Sequence, residues 1–139
     1  TRFPGSFGSG YLYFSVPRVI LFREEHSRRV FVDKVDFISA PGWSPPDVHR
    51  PGGPYALITS LCVFIYDRDN HRFRLSGLLP GATLEEVRDN TGFDFDCPDD
   101  IGDIPPPEAD RVDLIRTRVA GEIAETYPEF ARDRLGWQG

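Results

Sequence analysis

Val19-Ile20-Leu21-Phe22 is a continuous apolar run with no polar alternate, the pattern of a strand covered on both faces. Covering two sheet faces takes helices, and the chain supplies few helical patterns before residue 83. The missing cover is therefore expected from another chain or from a segment upstream of Thr1. This one run already argues against a self-sufficient fold.

The rest of the chain fits an incomplete α/β pattern. Val30 to Ile38 alternates loosely, with β-branched Val30, Val32 and Val35 and aromatic Phe31 and Phe37, and reads as a second strand. Residues 41–54 follow with five prolines and three glycines, which excludes helix and strand and leaves a structured surface loop. Its length favours a lid or a partner contact, with Trp43 and His49 as lid candidates beside the plain reading of a surface loop. Ala56 to Tyr66 and Arg72 to Leu79, joined by Asp67-Arg68-Asp69-Asn70-His71, predict an antiparallel hairpin. Thr83 with Glu86 three residues later is a capping box, so a short helix is predicted over 84–90, with Gly92 just past its end. After Pro105-Pro106-Pro107, the residues Val112, Ile115, Val119 and Ile123 put an apolar stripe on a second helix. The charged tail from Glu125 to Gly139, with Phe130, Leu135 and Trp137 interleaved, reads as a docking segment.

Charge and composition exclude several functions. With 22 acidic against 16 basic side chains the net charge is −6, and no dense basic face offers itself to nucleic acid. The stretch from Tyr11 to Phe22 is interrupted by Ser15, Pro17 and Arg18 and is too short to span a bilayer. Cys62 lies in an apolar run and Cys97 is remote from it, which favours reduced thiols and a cytoplasmic setting. His26, His49 and His71 are isolated from one another, so no metal site is expected.

Candidate chemistry concentrates in two places. Gly5-Ser6-Phe7-Gly8-Ser9-Gly10 reads as a tight loop or a frayed terminus, and as a loop its backbone N–H groups would suit an oxyanion or enolate. Tyr11, Tyr13 and Phe14 behind it fit either the core or an apolar wall for a bulky acyl group. Glu24, Glu25, His26, Arg28 and Arg29 fit acid–base work and phosphate binding, or a solvated turn of weak surface ion pairs. Thr1 as an N-terminal nucleophile is the weakest candidate, since nothing downstream suggests such a fold.

The order of these blocks resembles the β subunit of the class I CoA-transferase family. The likeness is carried by Arg2 to Gly10, by Glu25-His26-Ser27-Arg28-Arg29-Val30-Phe31-Val32 with Val35-Asp36-Phe37 and Pro41-Gly42, and by Gly53-Pro54 with Leu57-Ile58-Thr59. Pro80-Gly81-Ala82-Thr83-Leu84-Glu85-Glu86-Val87 and Asn90-Thr91-Gly92-Phe93 extend it, over roughly residues 2–118 in all. Within the family, Tyr11 to Phe14 and Phe22 to His26 look most like the β subunit of the steroid-ring-opening hydrolases of bacterial cholesterol catabolism.

The resemblance implies an α/β CoA-transferase fold, with a mostly parallel sheet plus a β-hairpin, completed by another chain. It implies that residues 1–139 are the C-terminal portion of a β subunit: glycine loop 1–10, Pro/Gly-rich loop 41–54 and helical C-terminal segment 106–139. Thr1 would then begin the second half of a cut chain, with the upstream half of the β subunit and an α subunit as partners in an α₂β₂ assembly. Binding of substrate or CoA falls to Gly5, Ser6, Phe7, Gly8, Ser9, Gly10, Tyr11 and Glu24. Glu25 and His26 are catalytic candidates, while the main glutamate is expected on the partner chain. Coenzyme A enters as part of the substrate and no other cofactor is implied.

The implied reaction is hydrolytic opening of a ring in a cyclic β-keto acyl-CoA, with CoA transfer between carboxylic acids as the alternative and a non-catalytic scaffold half as the second. Two departures bear on this choice. The Glu-Asn-Gly type of motif that carries the covalent glutamate of classical CoA-transferases is absent, and Ser27 stands where many relatives have glutamate beside the histidine.

Overall fold

The computed structural model describes the chain from Phe7 to Gly139, the side chains of Phe7 and Ser9 excepted. It forms two compact units, Thr1–Ile104 and Pro105–Gly139. The first contains helix α1 (Phe7–Ser15), strands β1 (Val19–Arg23), β2 (Pro54–Thr59), β3 (Cys62–Asp67) and β4 (Arg72–Leu78), and helix α2 (Leu84–Asn90).

The strands form one sheet in the order β1-β2-β3-β4. β1 pairs with β2 in parallel, whereas β2–β3 and β3–β4 are antiparallel. This portion of the fold is thus mostly antiparallel, which corrects the expectation of a mostly parallel sheet with an added hairpin. The reason lies in the connections. Ala56 to Tyr66, expected as one run, is broken by Thr59, whose hydroxyl accepts the N–H groups of Leu61 and Cys62, each at 3.1 Å. A hydroxyl that substitutes for a backbone acceptor lets the chain reverse in two residues without glycine.

Register explains the core. Leu57 stands opposite Phe64 and Phe64 opposite Leu75, so these side chains line one face in a row. The row packs with Cys62, Leu78 and Val87 of α2 into a buried cluster. Phe95 meets the Phe64 ring edge-on at a centroid distance of 5.0 Å, and Phe93 and Phe73 stand nearby. α2 is fixed by the predicted capping box: Thr83 Oγ1 accepts from the Glu86 N–H at 3.2 Å and the Glu86 carboxylate accepts from the Thr83 N–H at 2.9 Å. Replacing Thr83 by alanine should cost about 1 kcal/mol, read as a lower urea midpoint with unchanged slope.

Two strand expectations change. Val30 to Ile38 is a series of turns and bends rather than a strand. The N–H groups of Val30 and Phe31 donate back to Ser27 O, at 2.9 and 2.8 Å, so the segment begins as a turn and finds no strand to pair with. β1 does form, but within this chain it is not covered on both faces: Ile20 and Phe22 are 59% and 73% exposed. It is the outer strand on its side of the sheet. On the opposite side, residues 96–104 lie along β4, with Leu75 N–H donating to Asp96 O (2.8 Å) and Leu78 N–H to Gly102 O (3.2 Å).

The second unit holds α3 (Ala109–Leu114), a π-helical turn (Ile115–Val119), α4 (Ala120–Ala124) and α5 (Pro128–Leu135). The wide turn shifts the phase of the expected stripe. Ile115 is exposed and Val112, Val119 and Ile123 are half-buried, while Ala120, Ala124 and Ala131 are buried. The tail is helical, opened by Pro128 and closed by Gly136 at φ 72°. Among the described residues, no helix is long and apolar enough to cross a membrane.

Candidate active site

α1 changes how the glycine-rich segment is read. Gly5 and Ser6 lie outside the described residues, and Phe7 to Gly10 form the first turn of a helix rather than a loop. In a first turn the N–H groups have no acceptor within the helix, so the backbone donors of Phe7, Gly8, Ser9 and Gly10 stand at its positive end. A Cβ on Gly10 would sit 3.1 Å from Ser39 O, which ties the small residue to close packing. Tyr11 follows at 70% exposure with Leu12 also exposed, so within this chain Tyr11 belongs to a surface rather than a core.

The other end of α1 is held by the Pro/Gly-rich segment. Gly52 N–H donates to Phe14 O at 2.9 Å and Gly53 N–H to Val16 O at 3.2 Å, satisfying carbonyls that the helix leaves open. Arg50 fastens the same segment. Its guanidinium donates to Ser44 Oγ (2.9 Å), Tyr13 O (3.2 Å) and Pro41 O (2.7 Å), and lies 4.1 Å from the centre of the Phe14 ring. Partial burial, and the nearby charge of Arg68, lower its pKa. Sequence reasoning missed Arg50, because one cation in a proline-rich loop carries no pattern. Trp43 stacks on His71 at 4.9 Å, and His49 is exposed.

The charged stretch after β1 separates into three environments. Glu24 is exposed. Glu25 accepts from Ser27 Oγ at 2.7 Å, from Arg29 Nε at 3.2 Å and from Arg23 Nη2 at 3.3 Å, with a second, shorter contact from Arg29 Nη2. The Ser27 bond first, then those of Arg29, hold its carboxyl below the usual range. A carboxylate kept ionised in this way is a weak base near neutrality. Arg28 donates to Asp89 O at the end of α2 (2.6 Å).

His26 is 8% exposed and bonded at both ring nitrogens: Nδ1 to Thr59 Oγ1 at 2.8 Å and Nε2 to Thr91 Oγ1 at 2.9 Å. Proton bookkeeping fixes the Nε2 side of the ring. Thr91 Oγ1 donates to Val87 O at 2.6 Å, so it accepts from Nε2–H. Thr59 Oγ1 accepts two N–H groups, and its single proton faces both Nδ1 at 2.8 Å and Cys62 O at 3.2 Å. Desolvation by burial lowers the pKa of the ring. With neither nitrogen open to a substrate, His26 joins the turn after β1 to the end of β2 and the end of α2; its geometry is that of a positioning residue. Cys62, whose Sγ lies 4.0 Å from His26 Nδ1, is a free thiol pushed up by burial to about 11. Such a thiol is a poor nucleophile.

A strand whose C-terminal end leads directly into charged residues, beside an irregular crossover into a parallel neighbour, is the usual place for a ligand in an open α/β sheet. Comparison with known proteins assigns the class. No protein-family model matches the chain. The B subunit of glutaconate CoA-transferase from Acidaminococcus fermentans is 29% identical over 126 residues, 86% of this chain and 46% of the relative. The crystal structure of that transferase superposes with a TM-score of 0.69 at 30% identity, covering 84% of this chain and 46% of that one. The cholesterol ring-cleaving hydrolase IpdB subunit of Rhodococcus jostii is 33% identical over 114 residues, 79% of this chain and 42% of the relative. The Rhodococcus jostii RHA1 IpdAB structure gives a TM-score of 0.73 at 29% identity, covering 81% and 47% of the two chains. The decarboxylase AibA/AibB gives 0.66 at 29% identity, covering 84% and 44%.

The fold is that of the CoA-transferases and their heteromeric relatives. The chain belongs to the CoA-transferase family on the side of its β subunits, and spans about half the length of the curated relatives it matches.

Proposed function

We propose that this chain is the C-terminal portion of the β subunit of a heteromeric acyl-CoA-processing enzyme, acting in the cytoplasm with an α subunit and the upstream half of the β subunit in an α₂β₂ assembly. The reaction proposed is hydrolytic ring opening of a cyclic β-keto acyl-CoA in steroid degradation. The observation that carries this reading is the TM-score of 0.73 for the ring-cleaving hydrolase structure against 0.69 for the glutaconate transferase, with sequence alignments of 33% and 29% identity to the respective subunits in its support.

The described residues suit a supporting part in that chemistry. Glu25 is held ionised and His26 is enclosed, so the base that activates water is proposed to be a glutamate of the partner subunit. Hydroxide adds to the ring ketone, the bond between carbonyl carbon and α-carbon breaks, and its electron pair passes into the thioester as an enolate that then takes up a proton. Amides at the start of α1 are proposed to stabilise that developing negative charge, with Tyr11 as an apolar neighbour for the acyl group; the helix start and the exposure of Tyr11 support this.

CoA transfer is the second reading, favoured by the longer stretch over which the transferase subunit aligns. Borohydride or hydroxylamine added to the assembled enzyme with acyl-CoA separates the two. Turnover with no modified glutamate is expected, and a trapped glutamate would establish the transferase instead. Unchanged turnover after substitution of Ser6, Ser9 and Glu25 would reduce this chain to a scaffold.

A further inference from the structure

We propose that Arg50 is a positioning residue for the reaction: its guanidinium sets the orientation of α1 and so aims the amides at the start of that helix, an assignment that rests on the anion-stabilising part given to α1 above. Within this chain the helix has little apolar anchorage. None of its described residues is buried, and only Gly10, Tyr13 and Phe14 are half-buried. A short helix that buries no side chain does not owe its direction to packing.

Polar contacts at its C-terminal end take that part. Arg50 Nη1 donates to Tyr13 O at 3.2 Å, and the guanidinium lies 4.1 Å from the centre of the Phe14 ring. Its other two bonds run away from the helix, from Nε to Ser44 Oγ at 2.9 Å and from Nη2 to Pro41 O at 2.7 Å. Next to Pro41, a Cβ on Gly42 would stand 3.6 Å from the phenol oxygen of Tyr66, so this segment is seated on β3. One side chain thus spans from the helix to a segment resting on the sheet. A planar fork with donors in fixed directions serves these acceptors at once, which a lysine ammonium on a flexible stem does not. Arg50 also sets its charge at the carbonyl end of α1, where a cation offsets the negative end of the helix dipole. The first turn lies nine residues back, roughly 13 Å away, so a small rotation at Tyr13 displaces it. A misplacement of about 1 Å is enough to cost on the order of a hundredfold in rate.

Steady-state kinetics of the assembled enzyme on a synthetic bicyclic β-keto acyl-CoA test this with Arg50→Lys and Arg50→Ala. Each substitution is expected to lower kcat at least about tenfold while KM moves less than about twofold. Methylguanidine added to Arg50→Ala is expected to recover part of the lost kcat. An unchanged kcat would overturn the assignment, as would an unrescued loss that only follows the folded fraction in urea unfolding. Hydrogen exchange on the same proteins gives a readout apart from activity. The amides of Leu12 to Val16 should exchange at least about tenfold faster in both variants, with those of β3 unchanged. If the parent does not turn over the β-keto acyl-CoA, the ring-opening reading falls. In that case faster exchange confined to α1 and the Pro/Gly-rich segment would still uphold Arg50 as the residue that orients the helix, and equal exchange would remove both.

Discussion

Replacing His26 by alanine is expected to lower the unfolding free energy of the sheet-bearing unit by about 3–4 kcal/mol. The loss has two sources: a cavity where the ring packs edge-on against Phe31, at 4.8 Å, and one buried hydrogen bond lost from each of two threonine hydroxyls. A change below about 1 kcal/mol in urea unfolding would show that the three segments meeting at the ring hold together without it. The same ring sets a pH dependence. Its folded pKa lies below the unfolded value, so the unfolded chain binds more protons in mild acid. The stabilisation is therefore complete above about pH 6.5 and declines as pH falls toward the lowered folded value. Cys62 is the titratable group that faces the ring, and it is neutral throughout that window. In the alanine variant this component of the acid slope should vanish, as unfolding titrations between pH 4 and 7 would report.

The second large effect is expected at Gly52. A Cβ there would overlap the Val16 carbonyl and stand 2.9 Å from Phe14 O, both backbone atoms that cannot swing aside. Gly52→Ala should cost about 2–3 kcal/mol and detach the Pro/Gly-rich segment from the end of α1. Because the start of that helix is the proposed anion-stabilising element, turnover of the assembled enzyme should fall as well. Full activity and stability in Gly52→Ala would mean that the two segments are not coupled.

What the sequence makes legible follows from how local each signal is. The capping box at Thr83 and Glu86 is complete within four residues, and helix 84–90 forms where it predicts. β3 and β4 follow from apolar runs around a polar turn. By contrast, Val30 to Ile38 has the residue types of a strand but no edge to join, and pairing is decided by residues far away. His26 reads as acid–base chemistry because histidine usually invites that reading. Its partners, Thr59 and Thr91, lie 33 and 65 positions away, and only the fold brings them to the ring. A weak signal for one did exist: Thr59-Ser60 is the polar interruption of the apolar run 56–66, and that is where the chain turns. Family resemblance, carried by scattered short blocks, reached the fold class that periodicity alone left open.

The two flanks of the sheet also differ in how the polypeptide will behave in the test tube. Residues 96–104 occupy the far side of β4, whereas among the described residues no strand pairs with the far side of β1, and the side chains of Ile20 and Phe22 are exposed. A strand in that condition recruits whatever extended peptide is nearby, including another copy of itself. Overexpression of the polypeptide by itself therefore favours inclusion bodies, and production alongside the companions proposed for it is the route to usable material.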